Sequence, residues 1–220
     1  MKLVLGGETY GHELGKVVCV GRNYAEHAKE LNNPVPETPI LFIKPASSAV
    51  VMEGNIDIPK EQGSVHHELE IAILIGEPLC NASEEEVDAA IAGIGLALDL
   101  TLRDVQSQLK AKGHPWERAK AFDGACPLSE FIEANEFIDL NNIELKLSKN
   151  GDVQQQGSSA DMLFPILPLI AEMSRHFTLN PGDVVITGTP AGVGPIEAGD
   201  SLVAELRVGD VDLQVQTSVN

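Results

Sequence analysis

Short apolar runs separated by glycine, proline and acidic turns make up most of the chain, and most of these runs have the length of a strand. The strand-like runs occupy residues 16–20, 40–43, 69–75, 93–99, 144–149, 153–156, 184–187, 201–207 and 211–216. Helical spacing or capping signals mark four other segments, residues 24–31, 83–92, 102–112 and 165–176. Because only one helix interrupts the strands after residue 144, the pattern argues against a doubly wound parallel sheet.

Turn and capping residues locate several boundaries between these elements. The pair Asn150-Gly151 separates two strand-like runs and predicts a hairpin. Ser83 and Glu86 have the spacing of a capping box at the start of the second helix. Asn23 and Thr101 are expected to cap the first and third helices, because their side chains can accept a hydrogen bond from the first helical turn.

The N-terminal segment differs from the rest of the chain in its glycine content. Four glycines fall within residues 1–15, which predicts a small hairpin or an irregular arm. The full length of 220 residues lies within the range of a single α/β or mostly-β domain. We therefore expect a minor arm over residues 1–15 and one main domain, which carries the candidate chemistry, over residues 16–220.

Two carboxylates stand at the start of the apolar run that ends at Ile75. Glu68 and Glu70 are two residues apart, so they share one face of a strand. The opposite face carries apolar side chains that should pack inward: Leu69, Ile71, Ile73 and Ile75. Buried carboxylates cost several kcal/mol unless a cation or hydrogen-bond donors compensate them. The pattern therefore indicates either a divalent metal site or an edge strand whose polar face is solvated.

Asp99 ends another apolar strand, where it either caps the following helix or contributes a third ligand. Together with Glu68 and Glu70 it would supply three oxygen donors without sulfur, a set that suits octahedral Mg²⁺ or Mn²⁺ better than zinc. His66 and His67 are adjacent and must face opposite ways on a strand, so at most one of them can support this site. A structural role is favoured for both histidines.

Further polar side chains have spacings that would direct them toward one site. His27 and Glu30 lie on one face of the first helix, an arrangement wanted in a general base, although an exposed pair on a polar helix has the same spacing. The position of this helix between a glycine turn and a proline-rich loop suits a movable lid. Arg103 and Gln106 share a face of the third helix, and Lys120 could add positive charge; a surface role is the alternative for each.

The charge of the chain excludes several classes of partner. There are 15 basic and 33 acidic residues, for a net charge of −18, so no basic stripe is present to bind nucleic acid or an anionic membrane. An anion site must therefore be locally positive, which makes Arg22, Arg103 and Lys120 candidates. The glycine-rich residues 187–194 could bind an anion through backbone N–H groups, but they lack the pattern of a P-loop or dinucleotide fingerprint.

Cysteine usage and the N-terminal residues bear on the compartment. Cys19, Cys80 and Cys126 are odd in number and far apart, so they indicate neither a disulfide framework nor a zinc knuckle. The first apolar residues are followed at once by Gly6 and Gly7, which leaves no apolar core for a signal peptide. We therefore expect a cytoplasmic protein.

Six ordered motifs carry a resemblance to a known family. They are residues 20–30, VGRNYAEHAKE; 42–45, FIKP; 67–71, HELEI; 97–106, ALDLTLRDVQ; 120–123, KAFD; and 182–190, GDVVITGTP. This set resembles the fumarylacetoacetate hydrolase superfamily, and is closest to its small acylpyruvate hydrolase and oxaloacetate decarboxylase branch. The resemblance implies an α+β fold, with a mixed β-sheet roll, flanking helices and a short lid helix, and a homodimer.

The resemblance also implies roles for individual residues. Those implied for the metal are Glu68, Glu70 and Asp99; for catalysis, His27, Glu30, Lys120 and Gln106; and for substrate binding, Arg22, Arg103 and Thr189. The implied cofactor is Mg²⁺ or Mn²⁺, and the implied ligand is a small 2-oxo acid.

The expected reaction is hydrolysis of the C–C bond of an acylpyruvate, with fumarylpyruvate and acetylpyruvate as examples. The metal would act as a Lewis acid, and His27 oriented by Glu30 would activate the water. Decarboxylation of oxaloacetate passes through the same pyruvate enolate. The main alternative is oxaloacetate keto–enol tautomerisation, which needs a related enolate but no hydrolytic water. A 2-oxo-acid hydratase or lyase and a noncatalytic 2-oxo-acid sensor are further alternatives.

Overall fold

The computed structural model describes residues 1–135 and 138–220 and has the expected α+β fold with a mixed, curled sheet. The α-helices are α1 (Ala25–Glu30), α2 (Glu84–Ala90), α3 (Arg103–Ala111), α4 (Glu117–Lys120) and α5 (Ile166–His176). The first nine strands are β1 (Lys2–Leu5), β2 (Glu8–Glu13), β3 (Lys16–Gly21), β4 (Ile40–Pro45), β5 (Ala49–Val51), β6 (Gly54–Ile56), β7 (Val65–His67), β8 (Leu69–Ile75) and β9 (Ile91–Leu98). The later strands are β10 (Thr101–Leu102), β11 (Cys126–Leu128), β12 (Ile132–Glu133), β13 (Ile143–Lys149), β14 (Asp152–Ser158), β15 (Val184–Ile186), β16 (Gly194–Ile196), β17 (Ser201–Val208) and β18 (Val211–Val219). Two 3₁₀ turns complete the described elements, Ala46–Ser48 and Ser159–Asp161.

The largest sheet has the strand order β4-β3-β15-β8-β9-β11-β5, with β12 attached to β9. Strand β8 lies at its centre, between β15 and β9, and every residue of β8 is buried. The solvated edge strand considered from the sequence is therefore wrong. A central strand has both edges paired, so its polar side chains cannot be solvated by an open sheet edge.

The two faces of β8 pack into different hydrophobic clusters, as strand alternation requires. Leu69, Ile71, Ile73 and Ile75 pack inward on one face, as predicted. Ala72 and Leu74 belong to a second, smaller cluster on the other face, which also includes Leu3 and Leu14 from the N-terminal segment. Because Glu70 precedes Ala72 and Leu74 by even spacing, it projects on the side of the smaller cluster.

Three smaller sheets surround this centre. A five-stranded sheet has the order β14-β13-β17-β18-β6, and a three-stranded sheet has the order β10-β7-β16. The predicted hairpin joins β13 to β14, and both turn residues, Asn150 and Gly151, have positive φ. The N-terminal segment forms the hairpin β1–β2, while its separation as an arm from one main domain stays a prediction.

Of the three predicted helix caps, one is confirmed and two are wrong. Ser83 accepts a hydrogen bond from the backbone N–H of Glu86, and the Glu86 carboxylate accepts one from the Ser83 N–H. Helix α1 has Tyr24 at its N-cap position, because the Asn23 amide has tertiary partners instead. Helix α3 has Leu102 at that position, since Thr101 lies in β10 and its hydroxyl donates to the backbone oxygen of Asp99.

Replacing Ser83 with alanine is expected to lower the free energy of unfolding by about 1 kcal/mol, because the first turn of α2 loses its side-chain acceptor. Urea unfolding followed by circular dichroism measures the difference. Glu85→Ala in the same exposed turn is a control that leaves both reciprocal hydrogen bonds in place. An unchanged midpoint for Ser83→Ala would show that the cap does not contribute to stability.

Within the described ranges 1–135 and 138–220, no helix is both long and apolar enough to cross a membrane.

Candidate metal-dependent active site

Three buried carboxylates meet where β8 and β9 pair. Glu68 lies between β7 and β8, Glu70 lies in β8, and Asp99 directly follows β9. The antiparallel register continues past the strands, since the Asp99 N–H donates to the backbone oxygen of Glu68 at 2.8 Å. One carboxylate oxygen from each residue lies within 4.8 Å of the other two. The structure therefore brings the three acidic residues together, and Asp99 is not a helix cap.

Two of the cations expected from the sequence neutralise this cluster. Lys120 Nζ lies 2.8 Å from Glu68 Oε2 and 2.5 Å from Asp99 Oδ2, so it bridges the two carboxylates. Arg103 donates from Nη2 to Glu68 Oε1 at 2.5 Å and from Nη1 to Gln106 Oε1 at 2.7 Å. Lys120 is almost fully buried, so the surface role considered for it does not apply.

Lys44 is a third cation of the site, and sequence reasoning missed it. Its side chain is fully buried, and Nζ lies 2.8 Å from Asp99 Oδ1. It also donates to the backbone oxygens of Lys120 and Ala125. A lysine that directly follows the apolar residues of β4 is the signal that could have found it, because an unpaired lysine is almost never fully buried.

The environment separates the pKa values of the buried groups. Burial raises the pKa of Glu70 well above its ordinary value, and the negative charges of Asp99 and Glu68 raise it further. Burial alone would also raise the pKa of Glu68, but Lys120 and Arg103 hold it below its ordinary range. For Lys120, burial opposes the charged form, yet Asp99 and Glu68 raise the pKa, so its ammonium stays protonated.

The donor set fits a divalent cation that prefers oxygen. Asp99 Oδ1 is buried, and apart from the Lys44 ion pair it has no hydrogen-bond partner among the described residues. Glu70 accepts only the Gly188 N–H, at 2.7 Å, and forms no ion pair with any described residue. A cation would therefore bind an oxygen that accepts no hydrogen bond and relieve the repulsion between Glu70 and its neighbours.

Gly188 is required where the loop after β15 meets the lid. Its φ is +92°, and a Cβ at this position would lie 2.6 Å from the Cβ of Asn23. The Asn23 amide donates to the backbone oxygens of Thr187 and Phe164, so it fastens this loop to the start of α1. The close approach holds the Gly188 N–H in position to donate to Glu70.

Helix α1, the predicted lid, contributes His27 to the cavity that contains the acidic cluster, and its movement stays a prediction. His27 is buried, and its Nδ1 lies 3.3 Å from Glu30 Oε2, so the exposed pair considered from the sequence does not describe this histidine. Glu30 Oε1 accepts the Gly192 N–H at 3.0 Å, which holds the lid against the loop after β15. The cavity is about 30 Å³ in volume, room for one or two water molecules.

The remaining residues singled out from the sequence also reach this cavity. Arg22, Gln106 and Thr189 contribute to its lining. The Thr189 hydroxyl is already engaged, because it donates to the backbone oxygen of Leu69 at 2.8 Å. His66 and His67 are not part of the acidic cluster.

Gln155 is a second residue that the sequence analysis missed. Its Oε1 accepts from the Leu69 N–H and from His67 Nδ1, both at 2.9 Å. Its Nε2 donates to Thr189 Oγ1 at 2.7 Å and to the Pro190 backbone oxygen at 2.9 Å. One buried amide therefore connects the backbone between the two glutamates to the loop after β15. A glutamine in a polar run gives no sequence signal for such a role.

Replacing Gln155 with alanine is expected to lower the free energy of unfolding by about 2 kcal/mol or more, because several buried polar groups lose a partner. The affinity for Mg²⁺ should fall as well, since the backbone between the glutamates loses its support. Urea unfolding and calorimetric Mg²⁺ titration measure the two effects. Gln156→Ala is the matched control, because this neighbour is exposed. Equal stability of the two variants would contradict the connecting role.

A larger groove of about 670 Å³ lies on the five-stranded sheet, away from this cluster. Four of the charged side chains in it form ion pairs, Arg207 with Asp212 and Lys146 with Glu205. Size alone does not make it the better candidate, because the smaller cavity holds the buried carboxylates, the partnered lysine and the histidine.

Comparison with known proteins places this geometry in context. The family model "Fumarylacetoacetate (FAA) hydrolase C-terminal" matches residues 16–216. A curated relative, oxaloacetate tautomerase YcgM of Escherichia coli K12, is 57% identical over 197 residues, which are 89% of this chain and 90% of the relative. A solved structure of a protein from Oleispira antarctica has a TM-score of 0.98 and 65% identity, and both chains are covered completely. Fumarylpyruvate hydrolase from Pseudomonas aeruginosa, solved in complex with Mn²⁺ and pyruvate, has a TM-score of 0.89 and 31% identity, with coverage of 100% of this chain and 96% of that one.

Proposed function

The chain belongs to the fumarylacetoacetate hydrolase C-terminal family, and from that premise we propose that it is a divalent-metal-dependent enzyme that interconverts the keto and enol forms of oxaloacetate. The observation that carries the proposal is the 57% identity, over 89% of the chain, to the oxaloacetate tautomerase of Escherichia coli. From the sequence alone, this reaction was the alternative to acylpyruvate hydrolysis. The comparison favours it as the main function.

The acidic cluster supports the metal dependence of this proposal. Glu68, Glu70 and Asp99 would hold the cation, and the all-oxygen donor set favours Mg²⁺ or Mn²⁺. When bound, the cation supplies Lewis-acid polarisation of the 2-oxo group. The chain's own contribution is to fix Glu68 and Asp99 with Lys44, Lys120 and Arg103, and Glu70 with the Gly188 N–H, before substrate arrives.

The lid and Lys120 support the proton chemistry. Tautomerisation moves one proton from C3 and adds one proton to the 2-oxo oxygen, so the enol has the same composition as the ketone. His27 contacts Glu30 through Nδ1, which leaves Nε2 to take the C3 proton from a molecule held in the cavity. The Lys120 ammonium donates a hydrogen bond to the oxygen as negative charge develops there. Lid closure excludes bulk water from the exchange.

Replacing His27 with alanine is expected to lower kcat for tautomerisation by about 10²-fold, the loss typical of a missing general base. Mg²⁺ affinity should stay near that of the unmodified protein, since His27 is not in the acidic cluster. Stopped-flow absorbance of the enol and calorimetric Mg²⁺ titration measure the two quantities. His114→Ala, which removes an exposed histidine, is the control. Equal turnover of His27→Ala would assign the proton transfer to another group.

The proposed function is tested by adding enol-oxaloacetate to the purified protein with Mg²⁺ and following the loss of enol absorbance. We expect a rate well above the uncatalysed one that EDTA removes and fresh Mg²⁺ restores. Pyruvate formation, measured in the same samples, reports decarboxylation separately. A decay of enol no faster than in buffer with Mg²⁺ would contradict the proposal.

Acylpyruvate hydrolysis is the second candidate, and the His27–Glu30 pair favours it because hydrolysis needs an activated water. The similarity to fumarylpyruvate hydrolase, at 31% identity, supports it further. Incubation with acetylpyruvate and fumarylpyruvate under the same conditions compares the two reactions. A kcat/KM for either acylpyruvate above that for oxaloacetate would make hydrolysis the main function.

A homodimer, implied by the family, also stays a proposal.

A further inference from the structure

The loop after β15, residues 187–192, is attached to the strand that carries the glutamates. The Thr189 hydroxyl donates to the backbone oxygen of Leu69 at 2.8 Å. One residue earlier in the loop, the Gly188 N–H donates to the Glu70 carboxylate at 2.7 Å. The loop thus contacts both the side chain of Glu70 and the backbone beside it, so the positions of Glu70 and of the loop are fixed together.

The same loop is attached to both ends of α1. Asn23 lies just before the helix, and its amide donates to the backbone oxygen of Thr187 at 2.8 Å. Glu30 is the last residue of the helix, and its Oε1 accepts the Gly192 N–H at 3.0 Å. The loop therefore connects a candidate metal ligand to both ends of the helix that carries His27.

Asn23 is suited to hold this connection rigidly, because its side chain is fully buried and all of it is used. Besides its bond to Thr187, Nδ2 donates to the backbone oxygen of Phe164 at 3.0 Å. Oδ1 accepts the Phe164 N–H at 2.7 Å. If the loop moved away from α1, the amide would lose a partner in a buried place, and an unpaired buried donor is costly.

Close packing at two glycines limits the loop to this position. A Cβ at Gly188 would lie 2.6 Å from the Cβ of Asn23, so the loop and the start of α1 are in direct contact there. A Cβ at Gly192 would overlap the backbone oxygen of Gln154 in β14. The loop is thus held between α1 and β14, and a displacement of one packed element is transmitted to the other.

We propose that Asn23 is a positioning residue that, through the loop after β15, makes cation binding at Glu70 and the observed position of α1 depend on each other. A bound cation holds the Glu70 carboxylate in place, and with it the Gly188 N–H. The contacts of the loop with α1 then persist, so His27 stays at the cavity. Because coupling between two sites is reciprocal, α1 in this position raises the affinity for the cation by the same factor. The inference rests on the metal dependence of the proposed function and deepens it.

The test measures hydrogen exchange of the α1 backbone amides by mass spectrometry, on the full-length protein with EDTA and with saturating Mg²⁺. Calorimetry gives the dissociation constant for Mg²⁺. In the unmodified protein, Mg²⁺ should slow exchange across α1 by about fivefold or more, the lower end of the coupling found between sites. In Asn23→Ala the slowing should fall below about twofold. The affinity for Mg²⁺ should fall by a factor similar to the slowing that was lost, since the coupling is reciprocal.

A second variant keeps Asn23 and separates the loop from α1. In Gly188→Ala the added Cβ meets that of Asn23, so the Mg²⁺ dependence of α1 exchange should be lost here as well. Gly151→Ala is the matched control. Gly151 has the same φ of +92°, but no atom lies within 4 Å of its added Cβ, so this variant has the backbone strain without the collision. It should keep both the slowing and the affinity.

The contact at the other end of α1 is tested at a position where the fold is not at risk. Glu30→Ala removes the acceptor of the Gly192 N–H from a partly exposed side chain. Because the contact of Asn23 remains, about half of the slowing should be lost. Glu26→Ala is the control, since this side chain is exposed on the same helix and pairs with Lys29.

A purely structural role for Asn23 gives a different result. Loss of stability alone would speed α1 exchange in Asn23→Ala by the same factor with EDTA and with Mg²⁺, and that outcome would overturn the coupling. Exchange of α1 in the unmodified protein that does not respond to bound Mg²⁺ would overturn it as well.

Neither measurement depends on turnover, so failure of the coupling is distinct from failure of the proposed function. Tautomerisation is assayed on the same unmodified preparation. Protection of α1 by Mg²⁺ in a protein without tautomerase activity would retain the coupling and reject the reaction. An active tautomerase whose α1 exchange ignores Mg²⁺ would reject the coupling alone, and absence of Mg²⁺ binding would reject both the coupling and the metal dependence.

Discussion

Replacing Lys120 with methionine is expected to lower kcat for oxaloacetate tautomerisation by about 10²- to 10³-fold, because the ammonium would no longer stabilise charge on the substrate oxygen. The metal-free protein should also lose about 3–5 kcal/mol of stability, since two buried carboxylates lose their shared cation. Mg²⁺ should restore more stability to this variant than to the unmodified protein, because the metal replaces the missing positive charge. Stopped-flow kinetics and thermal unfolding with and without Mg²⁺ measure the three effects.

Lys44→Met is the matched control for Lys120→Met. Lys44 also lies beside Asp99 and is fully buried, so its removal should destabilise the metal-free protein to a similar degree. It does not contribute to the lining of the cavity, so the loss in kcat should be much smaller. If both variants lost the same activity, Lys120 would act through the arrangement of the carboxylates rather than through contact with substrate.

Glu70→Gln is expected to weaken Mg²⁺ binding by more than the roughly 10- to 100-fold that changes in outer-shell residues cause. The metal-free protein should stay as stable as before or become more stable. Glutamine keeps an oxygen that can accept the Gly188 N–H, but it removes the negative charge that repels Glu68 and Asp99. Calorimetric titration measures the affinity, and Glu53→Gln at an exposed position is the control. Unchanged affinity would exclude Glu70 as a ligand.

The same variant tests the pH dependence that the raised pKa of Glu70 implies. In the metal-free protein the folded state keeps this proton at pH values where the unfolded chain has released it. The folded state then binds more protons, so the free energy of unfolding falls as pH rises from the ordinary pKa of Glu70 toward its raised value. Glu70→Gln should lose this contribution. Urea unfolding of both proteins across that interval, with EDTA present, measures the difference between the two slopes.

The acidic cluster could be predicted because its members follow local rules. Glu68 and Glu70 alternate with apolar residues, and Asp99 ends an apolar strand. The sequence does not show which strands pair. In the structure Leu69 pairs with Leu98, and this register places Asp99 beside Glu68. The same local patterns predicted four of the five α-helices, all but α4, and most of the longer strands.

The partners of Lys44 and Gln155 could not be predicted by such rules, because they are distant in the chain. Lys44 donates to a backbone oxygen 81 residues away, and Gln155 bonds to a histidine 88 residues away. The two wrong predictions of helix caps also arise because the side chain has a tertiary partner. Asn23 has the right residue type for a helix N-cap, yet its amide is used to fasten the loop at Thr187, more than 100 residues later. Local propensity is overridden where a side chain has a better tertiary partner.

Lys44, Lys120 and Arg103 pair with Glu68 and Asp99 in the metal-free protein, and this pairing bears on the order of events after synthesis. Small zinc domains remain unfolded until their ion arrives, because nothing else compensates their ligands. Here the chain carries counter-charges for Glu68 and Asp99, so we expect folding to proceed without the metal. Under the proposed metal dependence, the newly made protein would fold first and gain activity only on binding the cation. The active fraction would then follow the free concentration of that cation, without synthesis or degradation of the protein.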